Sequence, residues 1–504
     1  MEFFLSFGIL SFCSLALYLY NVLWLHPQKI CKKLRRQGID GPKPSFLHGN
    51  LKEMKMLAME EKRRDGEAII HDYTPLPYFE KWRKRYGSIF LYMMGNVPFL
   101  HVSNPDFLRD MSHCASLDLG KSTYLKETHE PLFGNSIVKS NGKAWAHQRK
   151  IIAPEFFLEK VKAMVNLMVD CMEPLTKSWE SKIEQGNGSA EIKVDEDLQN
   201  FSAEVISRAC FRDSYSEGRQ IVLKLREMLR ALSRPNLLVE IAGLRYLPTR
   251  LNREIWRLNK EVRSLILKVT KENKEREEHT TNKNLLQAIL QNAGDSSDTD
   301  DFIVDNCKTI YIAGHETTAI TAVWCLLLLS IDQEWQSRVR ADVVEILGGC
   351  PPDANSIQKM KMLTMVIQET LRLYPPTAVI ARETLQDIKL GGIQIPKGVH
   401  IHTPVTSLHH DSSIWGPDVH EFNPERFSRG ISAACKFPHT YVPFGFGSRT
   451  CLGQNFAMVE LKILLSLILS KFSFSLSQEY RHCPSMRLLI EPKFGVCLLM
   501  KKCN

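Results

Sequence analysis

A thiol at residue 451 stands in the run Phe444-Gly-Phe-Gly-Ser-Arg-Thr-Cys-Leu-Gly453, a glycine-hinged loop that leads into a helix-prone stretch. From Leu452 through Glu460 to Leu465, apolar residues occupy most faces of that stretch, so it reads as a buried helix whose first free amides point back toward the sulfur. The partial positive charge of a helix start favours the thiolate, the form of cysteine that binds metals. Gly445 and Gly447 permit turns that bulkier residues resist, and Gly453 allows close approach of a flat group. Arg449, two residues before the cysteine, can face an anionic edge. The arrangement suits a cysteine that holds a haem iron from one side; an inert buried cysteine beside a glycine turn has the same letters.

A second pattern, Ala313-Gly-His-Glu-Thr-Thr318, falls midway along an apolar stretch from Phe302 to Ser330 that reads as one long helix. Glycine is unfavourable there, and adjacent threonines can bond back to carbonyls of the preceding turn, so a bulge is expected at this point. Ala313 and Gly314 would open a groove with room for dioxygen. Glu316 is an acid able to carry protons inward, and Thr317 offers a hydroxyl to hold water. A core helix with a packing glycine reads the same way. Glu369 and Arg372 are three residues apart and share one helix face, and Pro424-Glu-Arg426-Phe427 follows about fifty residues later. Trp145 and Arg149 lie one helical turn apart, so both can meet one edge of a bound group, the arginine by charge-assisted hydrogen bonds.

Phe444, Gly447, Arg449, Cys451 and Gly453 match all five fixed positions of the haem-binding signature of the cytochrome P450 family, and the chain resembles that family along essentially its whole length. The resemblance implies a mainly α fold with small β-sheets behind a single N-terminal transmembrane helix, and haem b as cofactor with Cys451 as its metal ligand. It implies further that Phe444 and Gly453 border the haem and that Trp145, Arg149, Arg382 and Arg449 hold its propionates. Glu316 and Thr317 fall at the acid and alcohol positions of oxygen activation, while His315 falls at a variable position with no assigned role. Glu369, Arg372 and Arg426 correspond to a structural network that locks the cysteine-bearing region to the helical core. The activity implied is monooxygenation: one atom of O2 enters the substrate and the other leaves as water.

No GxGxxG run occurs and there is no room for a fused flavin domain, so electrons are expected from a separate membrane-bound NADPH-cytochrome P450 reductase. The stretches Leu119-Gly-Lys-Ser-Thr-Tyr124, Pro131-Leu-Phe-Gly-Asn-Ser136 and Trp145 to Pro154 resemble a plant subgroup that oxidises isoprenoids. A gibberellin-type diterpenoid is the expected substrate, with triterpenoid or steroid-like molecules as alternatives. Ile310, Ala313, Thr377, Ala378, Val379 and Ile380 are candidate lining residues, small and aliphatic as a rigid apolar ring system requires. Haem-thiolate isomerases or dehydratases are a rival class, although they usually lack the acid and threonine pair; a non-catalytic haem binder is another.

The elements that must position these groups are also legible. The 504 residues, 44% hydrophobic and 24% charged, suffice for a large core. Sixty-five basic against 56 acidic residues give +9, spread without a basic block, which suits an anionic membrane surface or an acidic redox partner rather than nucleic acid. Thirteen cysteines without CxxC pairs read as reduced thiols. Residues Phe3 to Leu25 carry no charge and would form about 34 Å of helix, with Lys29, Lys32, Lys33, Arg35 and Arg36 close behind. This predicts a signal anchor over residues 1–26 in the endoplasmic reticulum membrane, with the body on the cytosolic side; a cleaved signal peptide would put its basic flank at the other end. Residues 27–44 read as a basic, proline-rich hinge and 45–504 as the catalytic domain. Apolar runs at Ile89 to Met94 and Pro98 to Val102 predict a hairpin. Helices are predicted near 156–180, 197–211, 217–232 and 252–276, an acidic loop over 291–301, and strand-like patterning over 486–499.

Overall fold

The apolar runs on either side of Gly95 and Asn96 pair as an antiparallel hairpin, β1 (Ile89–Met94) and β2 (Val97–Val102), with Ile89 opposite Val102 and Met94 opposite Val97. Gly95 makes the turn in the left-handed region, φ 60°, where a side chain would be strained. The structure, a computed structural model, describes residues 2–64, 76–114, 118–124, 129–211, 215–232, 247–276, 285–286, 299–486 and 488–503. Residues 291–298 of the expected acidic loop lie outside the described residues, and Thr299 to Asp301 open a helix instead.

The hairpin belongs to the first of two units, Met1–Glu67, Leu76–Ser122 and Val379–Ser407. Its sheet is completed by β3 (Leu119–Gly120), β4 (Val379–Thr384) and β5 (His400–Pro404), in the order β1-β2-β5-β4-β3, with β2 and β5 parallel and the other pairs antiparallel. At its N-terminal end, helix α1 (Glu2–Tyr20) passes through one wider turn, Asn21–Leu25, into α2 (His26–Arg35). The helix therefore runs on well past residue 26, carrying Lys29, Lys32, Lys33 and Arg35 with it. Pro27, which has no amide to bond back, directly follows the wider turn, where the His26 amide reaches the Asn21 carbonyl five residues back, and the helix continues past it. Phe3, Phe4, Leu10 and Phe12 are exposed along α1, while Cys31 and Leu34 on α2 are buried. A chain this apolar and this exposed has the character of a membrane anchor. The turn into the body comes at Gly38, φ 84°, and at Gly41, where a β-carbon would lie 1.8 Å from the Leu91 carbonyl oxygen.

The second unit, Ala68–Pro75, Thr123–Ala378 and Leu408–Asn504, is helical. Its principal helices are α3 (Gly142–Ile152), α4 (Val165–Gln185), α5 (Val194–Phe211), α6 (Tyr215–Leu232), α7 (Arg250–Arg276), α8 (Thr299–Ile331), α9 (Lys361–Leu373) and α10 (Gln454–Lys471). The helix expected over 156–180 is instead a short turn of helix, Leu158–Lys162, followed by α4. The strand-like C-terminal stretch divides: Pro484–Met486 pairs with Ile490–Pro492, and Cys497–Lys502 lies between Ser189–Lys193 and Phe472–Leu476. Helices α8 and α10 form the core because they are apolar on nearly every face, and a helix of that kind must be surrounded. Trp324 of α8 stacks on Tyr374 with 4.0 Å between ring centroids and donates its indole hydrogen to the Ile490 carbonyl.

One polar junction fixes the segment that leads to α3. Lys308 of α8 is buried, and its three ammonium hydrogens have three acceptors: Asp305 Oδ1 (3.0 Å), the Pro131 carbonyl (3.2 Å) and Asn259 Oδ1 of α7 (3.2 Å). The backbone amides of Asn135 and Ile137, just past the short helix Glu130–Phe133, donate to Asp305 and Asn306, so side chains of one helical turn of α8 satisfy them.

Glu460 of α10 is fully buried, with neither carboxyl oxygen hydrogen-bonded among the described residues. Burial pushes its pKa up to about 8, against the smaller opposing effect of the Ser202 hydroxyl. The folded chain therefore favours the neutral acid, and stability falls as pH rises from the ordinary carboxyl range to about 8. Glu460→Gln should remove this slope, gaining on the order of 4 kcal/mol over the parent at pH 8 and nothing near pH 4.5, measured by denaturant unfolding. Parallel stability curves for the two proteins would show that this carboxyl does not titrate as described.

Candidate functional site

Helix α10 begins at Gln454 with Gly453 as its cap, which places Cys451 at the helix mouth with its side chain exposed. The loop before it closes on itself: the Cys451 amide donates to the Phe444 carbonyl at 2.8 Å, and Gly445 and Gly447 make the reversal at φ 74° and 66°. These are positions where only glycine is unstrained. A β-carbon on Gly453 would meet no protein atom within 4 Å, so space remains beside the sulfur.

Trp145 and Arg149 project from α3 as their spacing requires, and Arg449 joins them from the cysteine loop. The Arg449 guanidinium lies 4.4 Å from the Trp145 ring centre and the Arg149 guanidinium 5.7 Å, a cation on aromatic contact from each. Arg449 donates to the Ser140 carbonyl (3.1 Å) and Asn141 Oδ1 (2.9 Å), and Arg149 to the Thr450 carbonyl (3.1 Å). Among the described residues neither guanidinium forms an ion pair with a carboxylate. Burial, and then the charge of Arg149, push the Arg449 pKa down to about 10; burial lowers that of Arg149 against the opposing effect of Cys451. Two half-buried cations without an anion are an acceptor site for one.

Helix α8 is buried over most of its length, yet Ala313 is exposed and Gly314 and Thr317 are half-buried at its middle. The expected bulge does not form. Thr317, Thr318 and Thr321 do bond back to the carbonyls of Ala313 (2.8 Å), Gly314 (3.3 Å) and Thr317 (2.8 Å), but these carbonyls accept the hydroxyls while the helix continues unbroken. Gly314 has a packing reason: a β-carbon there would lie 2.8 Å from Cδ1 of Ile206 in α5. Ala313, rather than the glycine, opens the face. Glu316 is turned away from Thr317 into the protein, with Oε1 2.9 Å from His315 Nε2 and 3.7 Å from Arg226 Nε of α6. Burial would raise its pKa, but His315, Arg226 and Arg230 outweigh burial and hold the carboxyl below its ordinary range. Nothing in the spacing announces Arg226, which lies 90 positions upstream; His315 is adjacent in sequence and was given no part.

Glu369 and Arg372 of α9 are fully buried and joined by two hydrogen bonds, Nε to Oε2 at 2.7 Å and Nη2 to Oε1 at 2.8 Å. Arg372 also donates to the carbonyls of His409 (3.0 Å), Val419 (2.6 Å) and Glu421 (3.1 Å). Arg426 lies 3.6 Å from Glu369 and pairs with Asp418 at 2.7 Å, a partner with no signal in the sequence. Downstream, the Tyr441 hydroxyl donates to the Gln368 carbonyl and the Val442 amide to His409 Nε2, so the chain is tied to α9 directly before it enters the cysteine loop.

Of the candidate lining residues in this unit, Ala313 and Thr377 are exposed while Ile310 and Ala378 are covered. Val379, Ile380 and Arg382 lie on β4 of the first unit, with Val379 half-buried and the other two covered.

These features fit the haem to which the sequence points: an exposed thiol with open space at the neighbouring glycine, a guanidinium pair without an anion, and an uncovered stretch in an otherwise enclosed helix. Arg372→Met should strip buried Glu369 of both its hydrogen bonds from Arg372, leaving Arg426 at 3.6 Å, and destabilise the protein by about 3–5 kcal/mol, read as a lower denaturant midpoint together with loss of bound haem. An unchanged midpoint would show the network to be dispensable.

The cytochrome P450 family model matches residues 69–498. Cytochrome P450 714B3 of Zea mays is 55% identical, over 99% of this chain and 95% of its own length. Cytochrome P450 714B2 of Oryza sativa subsp. japonica is 54% identical over 97% of this chain and 94% of its own, and cytochrome P450 714A2 of Arabidopsis thaliana 42% identical over 97% and 96%. A family match over most of the chain, with relatives aligned almost end to end, makes this protein a member of the cytochrome P450 family, a haem-dependent monooxygenase that stands among the plant 714 proteins.

Proposed function

We propose that this monooxygenase hydroxylates or epoxidises an isoprenoid small molecule, specifically a gibberellin-type diterpenoid, at the endoplasmic reticulum membrane with electrons from an NADPH-cytochrome P450 reductase. The observation that supports the oxidative reading is the face of buried α8 left uncovered at Ala313, Gly314 and Thr317, with the Glu316 carboxylate buried next to it in sequence. The diterpenoid reading rests on the subgroup stretches at 119–124, 131–136 and 145–154 and on the likeness to the plant 714 proteins. The exposed apolar helix α1 supports delivery from a lipid phase, where such a substrate concentrates.

Bound haem supplies the activation of O2, for which the balance is substrate, O2, two electrons and two protons in, and oxidised substrate and water out. Cys451, exposed just before α10, would be the residue that holds the iron. Arg149 and Arg449 would neutralise the propionates, with Trp145 ordering both. Phe444 and Gly453 would border the macrocycle, with open space at Gly453. Thr317 holds water at the uncovered face, and Glu316 supplies that water with protons. Ala313 and Thr377, exposed in the helical unit, are the candidates to meet a rigid apolar ring system.

Microsomes expressing the chain with a reductase, given diterpenoids and triterpenoids under labelled O2, should add one labelled oxygen to a gibberellin-type compound. Turnover of triterpenoids alone would replace the substrate, and NADPH-independent rearrangement would replace the reaction class. Cys451→Ala should lose the long-wavelength Soret band of a thiolate-ligated ferrous carbonyl; retention of that band would remove Cys451 as ligand. Thr317→Ala should bind haem and substrate as before but release most of its electrons as hydrogen peroxide, with product formation falling on the order of tenfold or more. Product formed in step with NADPH consumption in that variant would take Thr317 out of the reaction.

A further inference from the structure

Glu316 is flanked by an imidazole whose hydrogens can be counted. His315 is buried in α8, with Nδ1 against the Tyr311 carbonyl and Nε2 2.9 Å from Glu316 Oε1. A carbonyl oxygen only accepts, so Nδ1 carries a hydrogen. In a neutral ring Nε2 would then be a lone pair, and a lone pair facing an ionised carboxylate at this distance is repulsive. The pair therefore contains one proton more than a neutral imidazole and a carboxylate together. What surrounds it decides where that proton sits. Arg226 of α6 approaches the same Oε1 at 3.7 Å, and Arg230 follows one turn along α6. Arg226 is anchored in turn by Asn200 Oδ1 of α5 at 3.0 Å and faces Glu196 on the same helix. Cations on the α6 side favour the carboxylate over the acid, which leaves the proton on the ring.

We propose that His315 is an imidazolium paired with Glu316, a positioning residue that holds the acid toward α6 and supplies the proton the acid carries. At 100° per residue His315 stands about 200° around α8 from Thr317, with Glu316 between them. The histidine thus occupies the enclosed face and the threonine the uncovered one, and the carboxyl is the group that can serve both. The transfer balances without a further reagent: the Nε2–H bond breaks and an Oε1–H bond forms, both groups become neutral, and the ring keeps its Nδ1 hydrogen until solvent water restores the other proton. Neutral Glu316 is no longer held by the Arg226 charge and is free to turn toward Thr317. This deepens the reading of Glu316 as the acid of the site and rests on it.

The test reads the proton directly. The full haem-loaded chain, carrying 15N in histidine and kept as its diamagnetic ferrous carbonyl form, gives a ring signal that disappears in His315→Gln, or in His315→Asn where the glutamine variant holds no haem. Protons on both ring nitrogens at neutral pH, with the Nε2 proton lost in Glu316→Gln, are expected. A ring protonated at Nδ1 alone in the parent protein overturns the proposal, whichever substrate the enzyme takes. In turnover, the haem-loaded histidine variant should release several-fold more hydrogen peroxide per NADPH than the parent and lose the parent's pH dependence of that ratio; superimposable pH profiles overturn it equally. A negative substrate panel with a doubly protonated ring would revise the substrate and leave the pair intact.

Discussion

A buried guanidinium has five hydrogens to place, and the core of the helical unit is arranged so that Arg372 places all of them. Two go to Glu369 and three to the carbonyls of His409, Val419 and Glu421. An ion pair taken out of water gains little by itself, because desolvation offsets the attraction; what it enforces is that every partner be present. The partners of Arg372 come from a stretch of short helical turns and loops, and satisfying them fixes the path of residues 409–421. Arg426, paired with Asp418 and close to Glu369, extends the restraint to the next turn. Through His409 and Gln368 it reaches residues 441 and 442, a few positions before the loop that presents Cys451. A loop that must hold sulfur still is thus restrained by backbone carbonyls gathered around one charge.

Helix α8 meets a different demand, since it must be enclosed to be stable and open to be useful. Its sequence divides the two along the helix. Toward its C-terminal end, Ala322 to Leu329 are an unbroken buried run. Toward its N-terminal end, Asn306 and Lys308 are polar and still buried and Asp305 is half-buried beside them, with hydrogen bonds to residues 131–137 and to α7. Between the two, the small side chain of Ala313 and the short one of Thr317 leave a face uncovered. Gly314 performs the opposite task a position away, admitting Ile206 so that α5 can lie close.

Helices and the hairpin were legible because period and turn chemistry are local properties: the runs around Gly95 and Asn96 pair as their alternation demands, and α5 to α8 lie where their apolar faces place them. The candidate site was legible at Cys451, Glu316 and Thr317 for a related reason, as each sits in a short contiguous motif. What escaped has one physical character. Arg226 with Glu316, Asp418 with Arg426, and Lys308 with Pro131 and Asn259 are pairings of polar groups across long sequence separations, and neither propensity nor periodicity registers which buried charge will meet which. The bulge expected at Gly314 failed for a like reason. A glycine in a helix reads as weakness, and here it is a point of contact with Ile206, visible only once α5 is in place.

The two arginines beside Trp145 show how such a site can be assembled before its cofactor arrives. Bringing two guanidiniums to one aromatic ring is unfavourable, and burial, followed by the charge of Arg149, lowers the affinity of Arg449 for its proton, to about 10. Carbonyl acceptors at Ser140 and Thr450 and the Asn141 side chain hold the cations in place without cancelling their charge. A carboxylate supplied by the protein would relieve the repulsion and remove the site's affinity for any other anion. With no carboxylate paired to them among the described residues, the two cations keep their affinity for an anion, and because the loop carrying Arg449 also carries Cys451, an anion bound there would steady the sulfur as well.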